Sequence, residues 1–129
     1  MPGHGFFARE RASFACAFRG LADLLRSEPH ARFHLVATVA VCALGWWFGL
    51  CGGEWSAVLL AAGLVWTAEA LNTEIEHLAD VLHPARHPGI RRVKDIAAAA
   101  VLLASITAAV VGLIVFGPHL CALAGWCAA

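Results

Sequence analysis

Charge is scarce in this sequence. Only 14% of its 129 residues are charged, where a soluble domain usually carries ~25%. The nine basic and nine acidic residues cancel, so no positive surplus marks a nucleic-acid binder. Disorder is excluded from the other side, because 60% of the chain is apolar and the mean hydropathy is +0.74. The cysteines (Cys16, Cys42, Cys51, Cys121 and Cys127) are odd in number and lie mostly in apolar runs, which argues against a disulfide scaffold. There is no internal repeat. A secretory signal is not expected either. The first apolar run opens only at Phe33, behind Arg9, Arg11, Arg19, Arg26 and Arg32, and a signal core would stand nearer the start. One domain's worth of chain with this balance leaves a small integral membrane protein.

Three stretches are long enough to cross a bilayer, for which ~20 mostly apolar residues suffice. They are expected at 30–52, 55–82 and 95–121. The second is completed by a polar-striped end, and from Ile96 to Ala129, through the rest of the third, the chain carries no charge at all. Residues 1–28 read as an amphipathic surface helix. Phe14, Phe18, Leu21 and Leu25 share one face, and Arg19, Asp23 and Arg26 lie opposite. A core-facing helix is the plainer alternative. Pro29 suits the first position of the next helix and puts Glu28 at the bend. The fold expected is all-α and integral to the membrane, a surface helix followed by three transmembrane helices.

Orientation follows from the basic residues. Five precede the apolar run that opens at Phe33, and Arg86, Arg91, Arg92 and Lys94 lie between the second and third spans. The positive-inside rule then puts the N-terminus and the second loop in the cytoplasm and the C-terminus outside.

The second span carries Glu69, Asn72, Glu76 and Asp80 on one narrow stripe. An ionisable side chain in mid-membrane costs ~2.5–3.5 kcal/mol, so the stripe lines a site or binds helices together. With Trp55 as outer anchor, Glu69 falls roughly 21 Å and Glu76 roughly 31 Å along the helix. Glu28, Glu76, Lys94 and Asp95 then share one plane at the cytoplasmic interface, with Glu69 just beneath. Two carboxylates at a wet surface suit Mg²⁺ bound together with phosphate oxygens. Lys94 and a helix N-terminus suit a phosphate. A deeper carboxylate suits a base at a lipid hydroxyl. The set describes phosphoryl transfer from a nucleotide to a lipid alcohol, without a P-loop or the signature set of soluble kinases.

The blocks Glu69-Ala70-Leu71-Asn72-Thr73-Glu74-Ile75-Glu76, then Asp80, then Lys94-Asp95-Ile96-Ala97-Ala98-Ala99-Ala100-Val101-Leu102-Leu103 resemble the prokaryotic diacylglycerol kinase and undecaprenol kinase family. So do Phe18-Arg19-Gly20-Leu21 and Glu28-Pro29-His30-Ala31-Arg32-Phe33-His34-Leu35. The resemblance covers nearly the whole chain. It implies a homotrimeric lipid kinase of the bacterial cytoplasmic (inner) membrane that uses ATP and Mg²⁺. It further implies Glu69 as proton acceptor, Glu28 and Glu76 as metal ligands, and Asn72 as their support. Lys94 and Asp95 would contact the nucleotide, with Arg9 and His87 at nucleotide or headgroup. Cys16, where many members have tyrosine, and Glu74, where a small or apolar residue is usual, depart from the pattern. Arg32-Phe33-His34-Leu35, the His87-Pro88 loop and Gly117-Pro118-His119-Leu120 lean toward the undecaprenol branch.

Plainer readings stand beside these. Asp95 alone suits a helix cap, and Asp80 suits a solvated helix end. His30, His34 and His83 lack metal spacing. Gly45 and Gly49 form a GxxxG pair suited to helix packing. For the whole chain, the alternatives are a non-enzymatic ion or proton pathway subunit and a bare packing protein.

Overall fold

The computed structural model describes residues 6–85 and 87–125. Arg86 and Cys127 lie outside the described residues. Four helices follow in order: α1 (Phe6–Ser27), α2 (Pro29–Phe48), α3 (Gly52–Leu82) and α4 (Pro88–Leu123). The last three are long and apolar enough to cross a membrane.

Each break between helices has a local cause. Glu28 takes an extended conformation and Pro29 opens α2, where its missing N–H costs nothing. The last carbonyls of α1 would be left unpaired at this bend. Arg32 of α2 reaches back to them, its Nε donating to Leu25 O at 2.9 Å and its Nη2 to Arg26 O. A cation at a helix C-terminus also opposes the negative end of the dipole.

Gly49 ends α2 in the left-handed region, at φ 65° and ψ 47°, which glycine adopts without a Cβ clash. Its N–H meets Trp46 O, and that of Leu50 meets Gly45 O. Hence α2 stops at Phe48, short of 52. Cys51 and Glu54 then form a reciprocal cap, with Glu54 Oε2 accepting from Cys51 N at 2.8 Å, so α3 starts at Gly52 rather than 55. Only Gly45 of the expected glycine pair serves packing. A Cβ there would come within 3.0 Å of both Leu50 and Trp55. Gly49 serves the turn.

The third span also starts earlier, at Pro88 rather than 95. Proline again supplies the first helical position, and His87 caps it by accepting from Gly89 N at 3.1 Å. Lys94 and Asp95 therefore stand inside α4. The expectation that they sit at its positive N-terminal end is corrected, and Asp95 is not its cap.

α2, α3 and α4 run antiparallel in sequence, so the start of α2, the end of α3 and the start of α4 meet at one end of the bundle. The opposite end holds the apolar cluster of Leu50, Val58, Val115 and Phe116, joined by Phe48 and Trp55. His119 Nε2 meets Glu54 Oε1 there at 3.0 Å, and Phe48 stacks on the His119 ring. Trp55 packs inward on Gly45, so it is not the anchor its position suggests. Among the described residues, Trp46 and Trp47 are the exposed indoles at this level, and exposed tryptophans favour a membrane interface. The apolar face of α1 is not core. Phe14 and Phe18 remain 64% and 70% exposed, while Leu24 near the bend is buried.

Candidate active site

The polar stripe of α3 grades outward toward the loop end. Glu69 is 3% exposed, Asn72 and Glu76 are half-buried, and Asp80 is exposed. Helical periodicity puts them on one face, and the antiparallel packing decides what each one meets.

At the buried end, Glu69 Oε2 lies 4.0 Å from His34 Nε2 of α2. One turn deeper, away from the loop end, Trp66 Nε1 donates to Thr38 Oγ1 at 3.0 Å, and Thr38 Oγ1 donates to the His34 carbonyl at 2.7 Å. This chain ties α2 to α3 beside the carboxylate. At the next level, Asn72 Nδ2 donates to Glu76 Oε1 at 3.1 Å. Asn72 Oδ1 is buried and without a hydrogen-bond partner, a state that normally costs ~1–3 kcal/mol. At the bend, Glu28 Oε1 faces His77 Nε2 at 3.7 Å. His77 directly follows Glu76, so Glu28 stands level with the outer part of the stripe.

Asp80, His83, His87, Arg91, Lys94 and Asp95 line one surface cleft of about 520 Å³, within the range of small-molecule sites. Lys94 Nζ rests on Asp80 Oδ1. Arg91 Nε lies 3.8 Å from Asp95 Oδ2, both side chains exposed. Exposed pairs of this kind contribute ~0–1 kcal/mol, so a phosphate displaces such partners at little cost. The His87 ring stands 5.4 Å from that of His83, with its Nδ1 engaged in the cap.

The structure thus brings Glu69, Asn72 and Glu76 onto one face, sets Glu28 at their outer level, and gathers Lys94, Asp95 and His87 in one cleft. Arg9 is exposed on α1 and does not line that cleft. Glu74 turns away from the stripe into a groove between α1 and α3 with Asp23 and His77. Among the described residues no three ligating side chains form a metal cage. Glu28, Glu76 and the unpaired Asn72 oxygen are all hard oxygen donors, the type that magnesium accepts while it keeps phosphate ligands.

Sequence reading missed His34, Thr38 and Trp66. On the sequence His34 stands in a family block and lacks metal spacing, with no partner assigned to it. The tight turn at 49–51 was the available signal. Roughly equal steps back along α2 and forward along α3 set 34 opposite 69.

Comparisons with known proteins identify the family. The family model described as Prokaryotic diacylglycerol kinase matches residues 15–116. The undecaprenol kinase of Bacillus subtilis (strain 168) is 36% identical over 108 residues, 84% of this chain and 88% of that protein. The matched region holds the whole stripe, the bend at Glu28 and the Lys94 cleft. This four-helix, multi-pass membrane chain therefore belongs to the prokaryotic diacylglycerol kinase family and is a lipid kinase.

Proposed function

We propose that the chain transfers the γ-phosphoryl group of ATP to the hydroxyl of undecaprenol, with Glu69 as the base. The burial of Glu69 carries this reading. A carboxylate inside the span costs ~2.5–3.5 kcal/mol, and its contact with His34 at 4.0 Å is too long for a hydrogen bond. Helix packing therefore returns little for the cost, whereas a base at the depth of a lipid hydroxyl explains it. The same balance disfavours a bare packing protein. A proton pathway would leave the Lys94 cleft without a use.

Lys94 and Asp95 bind the nucleotide, Lys94 at the phosphates, with His87 and Arg9 at its margin. Glu28, Glu76 and the Asn72 oxygen hold Mg²⁺, whose charge supports the transferring phosphoryl group when it is bound. The buried end keeps solvent from the reacting hydroxyl. Undecaprenol is preferred to diacylglycerol because the Bacillus relative is named for it, and because the segments around His34, His87 and His119 lean the same way. The test is purified protein with labelled ATP and a panel of lipid alcohols. Polyprenyl phosphate is the product expected, and phosphorylation of diacylglycerol alone would overturn the preference.

The N-terminus, α1 and the Lys94 cleft lie on the cytoplasmic side of the inner membrane, and the Glu54–His119 end faces outward, following the distribution of basic residues. Cys16 and Cys51 are both exposed. An impermeant thiol reagent on intact cells should reach Cys51 and spare Cys16, and labelling of Cys16 would reverse the orientation.

Three thin spanning helices leave the outer part of the stripe, at Glu76 and Asp80, open on one side. A homotrimer closes it, placing the site at a subunit boundary. Inactive Glu69→Gln and Lys94→Met chains, co-reconstituted, should then recover part of the activity. Full activity of a detergent monomer would defeat the shared site.

A further inference from the structure

His34 has no role in the chemistry proposed above, yet it is the ionisable side chain nearest the buried carboxylate. Its own side chain is 15% exposed and that of Glu69 4%. The imidazole is held from several directions. Phe33 meets it edge-on at 5.7 Å between ring centroids. The Trp66–Thr38 hydrogen bond fixes the helix turn that carries it. His34 also lines a groove of about 220 Å³ between α2, α3 and α4. Glu69 follows Val65 of the groove wall by one turn of α3, on the same face.

Among the described residues, the groove beside His34 holds few other ionisable groups. α4 gives the groove Ser105, Ala108, Val111 and Gly112, and α3 gives it only apolar side chains. On α2 the further ionisable group is Cys42, two turns outward. His30, one turn nearer the helix start, is exposed. The charged groups between α1 and α3, Asp23, Glu74 and His77, line a separate groove.

We infer that His34 is a positioning residue for the base, turning the Glu69 carboxylate toward the groove and relieving it of the proton it has taken. The inference rests on Glu69 being the base. In the transfer, the O–H bond of the acceptor breaks and its proton passes to Glu69. The freed oxygen bonds the γ-phosphorus as the bond from that phosphorus to the β-phosphate oxygen of ADP breaks. The two side chains close their 4.0 Å separation to hydrogen-bond distance, the imidazole nitrogen takes the proton from Glu69, which returns to carboxylate, and the imidazolium releases it to solvent on the side of His30. A carboxylate alone in the span has no neighbour to take the proton on.

The test compares His34→Ala, His34→Gln and Glu69→Gln in the reconstituted full-length protein, with Mg-ATP binding measured separately. His34→Ala should lower kcat roughly tenfold to a hundredfold, less than the ~10²–10⁴ expected for loss of a general base. KM for Mg-ATP and thermal stability should not change. Added imidazole should restore part of the rate to His34→Ala and none to Glu69→Gln. His34→Gln, which keeps the bulk but takes up no proton, guards against a folding defect and should stay slow. An unchanged kcat in His34→Ala, or a slow, folded His34→Ala that imidazole does not help, overturns the inference. Substantial activity in Glu69→Gln would instead overturn the assignment of the base.

Discussion

The two ends of this bundle are built on opposite terms. At the end holding Glu54 and His119, the polar groups are paired at short distances, with the 2.8 Å Cys51–Glu54 and 3.0 Å Glu54–His119 contacts set over an apolar cluster. At the other end, Glu69 faces a histidine at 4.0 Å, an Asn72 oxygen has no partner, and Arg91 and Asp95 pair in solvent. Each arrangement there is cheap to exchange, which is what a site needs before its ligands arrive. A chain that pairs its polar groups closely at one end and leaves several of them loosely held at the other separates its stability from the site proposed for its chemistry.

The sharpest way to break this contrast is Glu69→Gln. It keeps the volume of the side chain and removes a buried charge that little in the fold satisfies, so stability should hold or rise. Turnover should fall by roughly 10²–10⁴-fold, with Mg-ATP binding retained. Kinetics and nucleotide titration on the same preparation check both halves. A variant that keeps more than a small part of its rate would make the buried end structural after all.

Next in size are the half-buried members of the proposed nucleotide and metal site. Lys94→Met, Glu28→Gln and Glu76→Gln each remove one charge-assisted contact, worth ~1.5–3 kcal/mol. Mg-ATP affinity should drop by roughly tenfold to a hundredfold, with little effect on the melting temperature. If any of the three binds Mg-ATP as the parent does, that residue has no part in the nucleotide and metal site.

Much of this layout was legible in the sequence, and the illegible part has a physical source. Periodicity along one helix gave the α3 stripe, because a helix fixes which of its own residues share a face. Apolar length gave the three spans. Helix ends were harder. Capping by His87 and by Cys51 with Glu54 depends on side chains reaching specific N–H groups, so α4 begins at Pro88 and carries Lys94 inside it. Contacts between helices were hardest. The meeting of His34 with Glu69, and of Trp66 with Thr38, depends on the register set by the Gly49 turn, which no single-helix pattern reports.

The smallest effect is expected at the paired end. Glu54→Gln should leave Mg-ATP affinity and kcat unchanged, because Glu54 stands a full membrane span away from the Lys94 cleft. Its stability should fall only slightly. The amide oxygen still accepts from Cys51 N, so half of the cap survives, but the amide is a weaker acceptor for His119 than a carboxylate. Glu54→Leu removes both contacts and should lower the melting temperature further, still without slowing the chemistry of the folded protein. Thermal melts and steady-state kinetics on the two variants separate these outcomes. Slower turnover in a fully folded Glu54→Gln would mean that the two ends are coupled through α3 and α4, and that the paired end does more than hold the helices together.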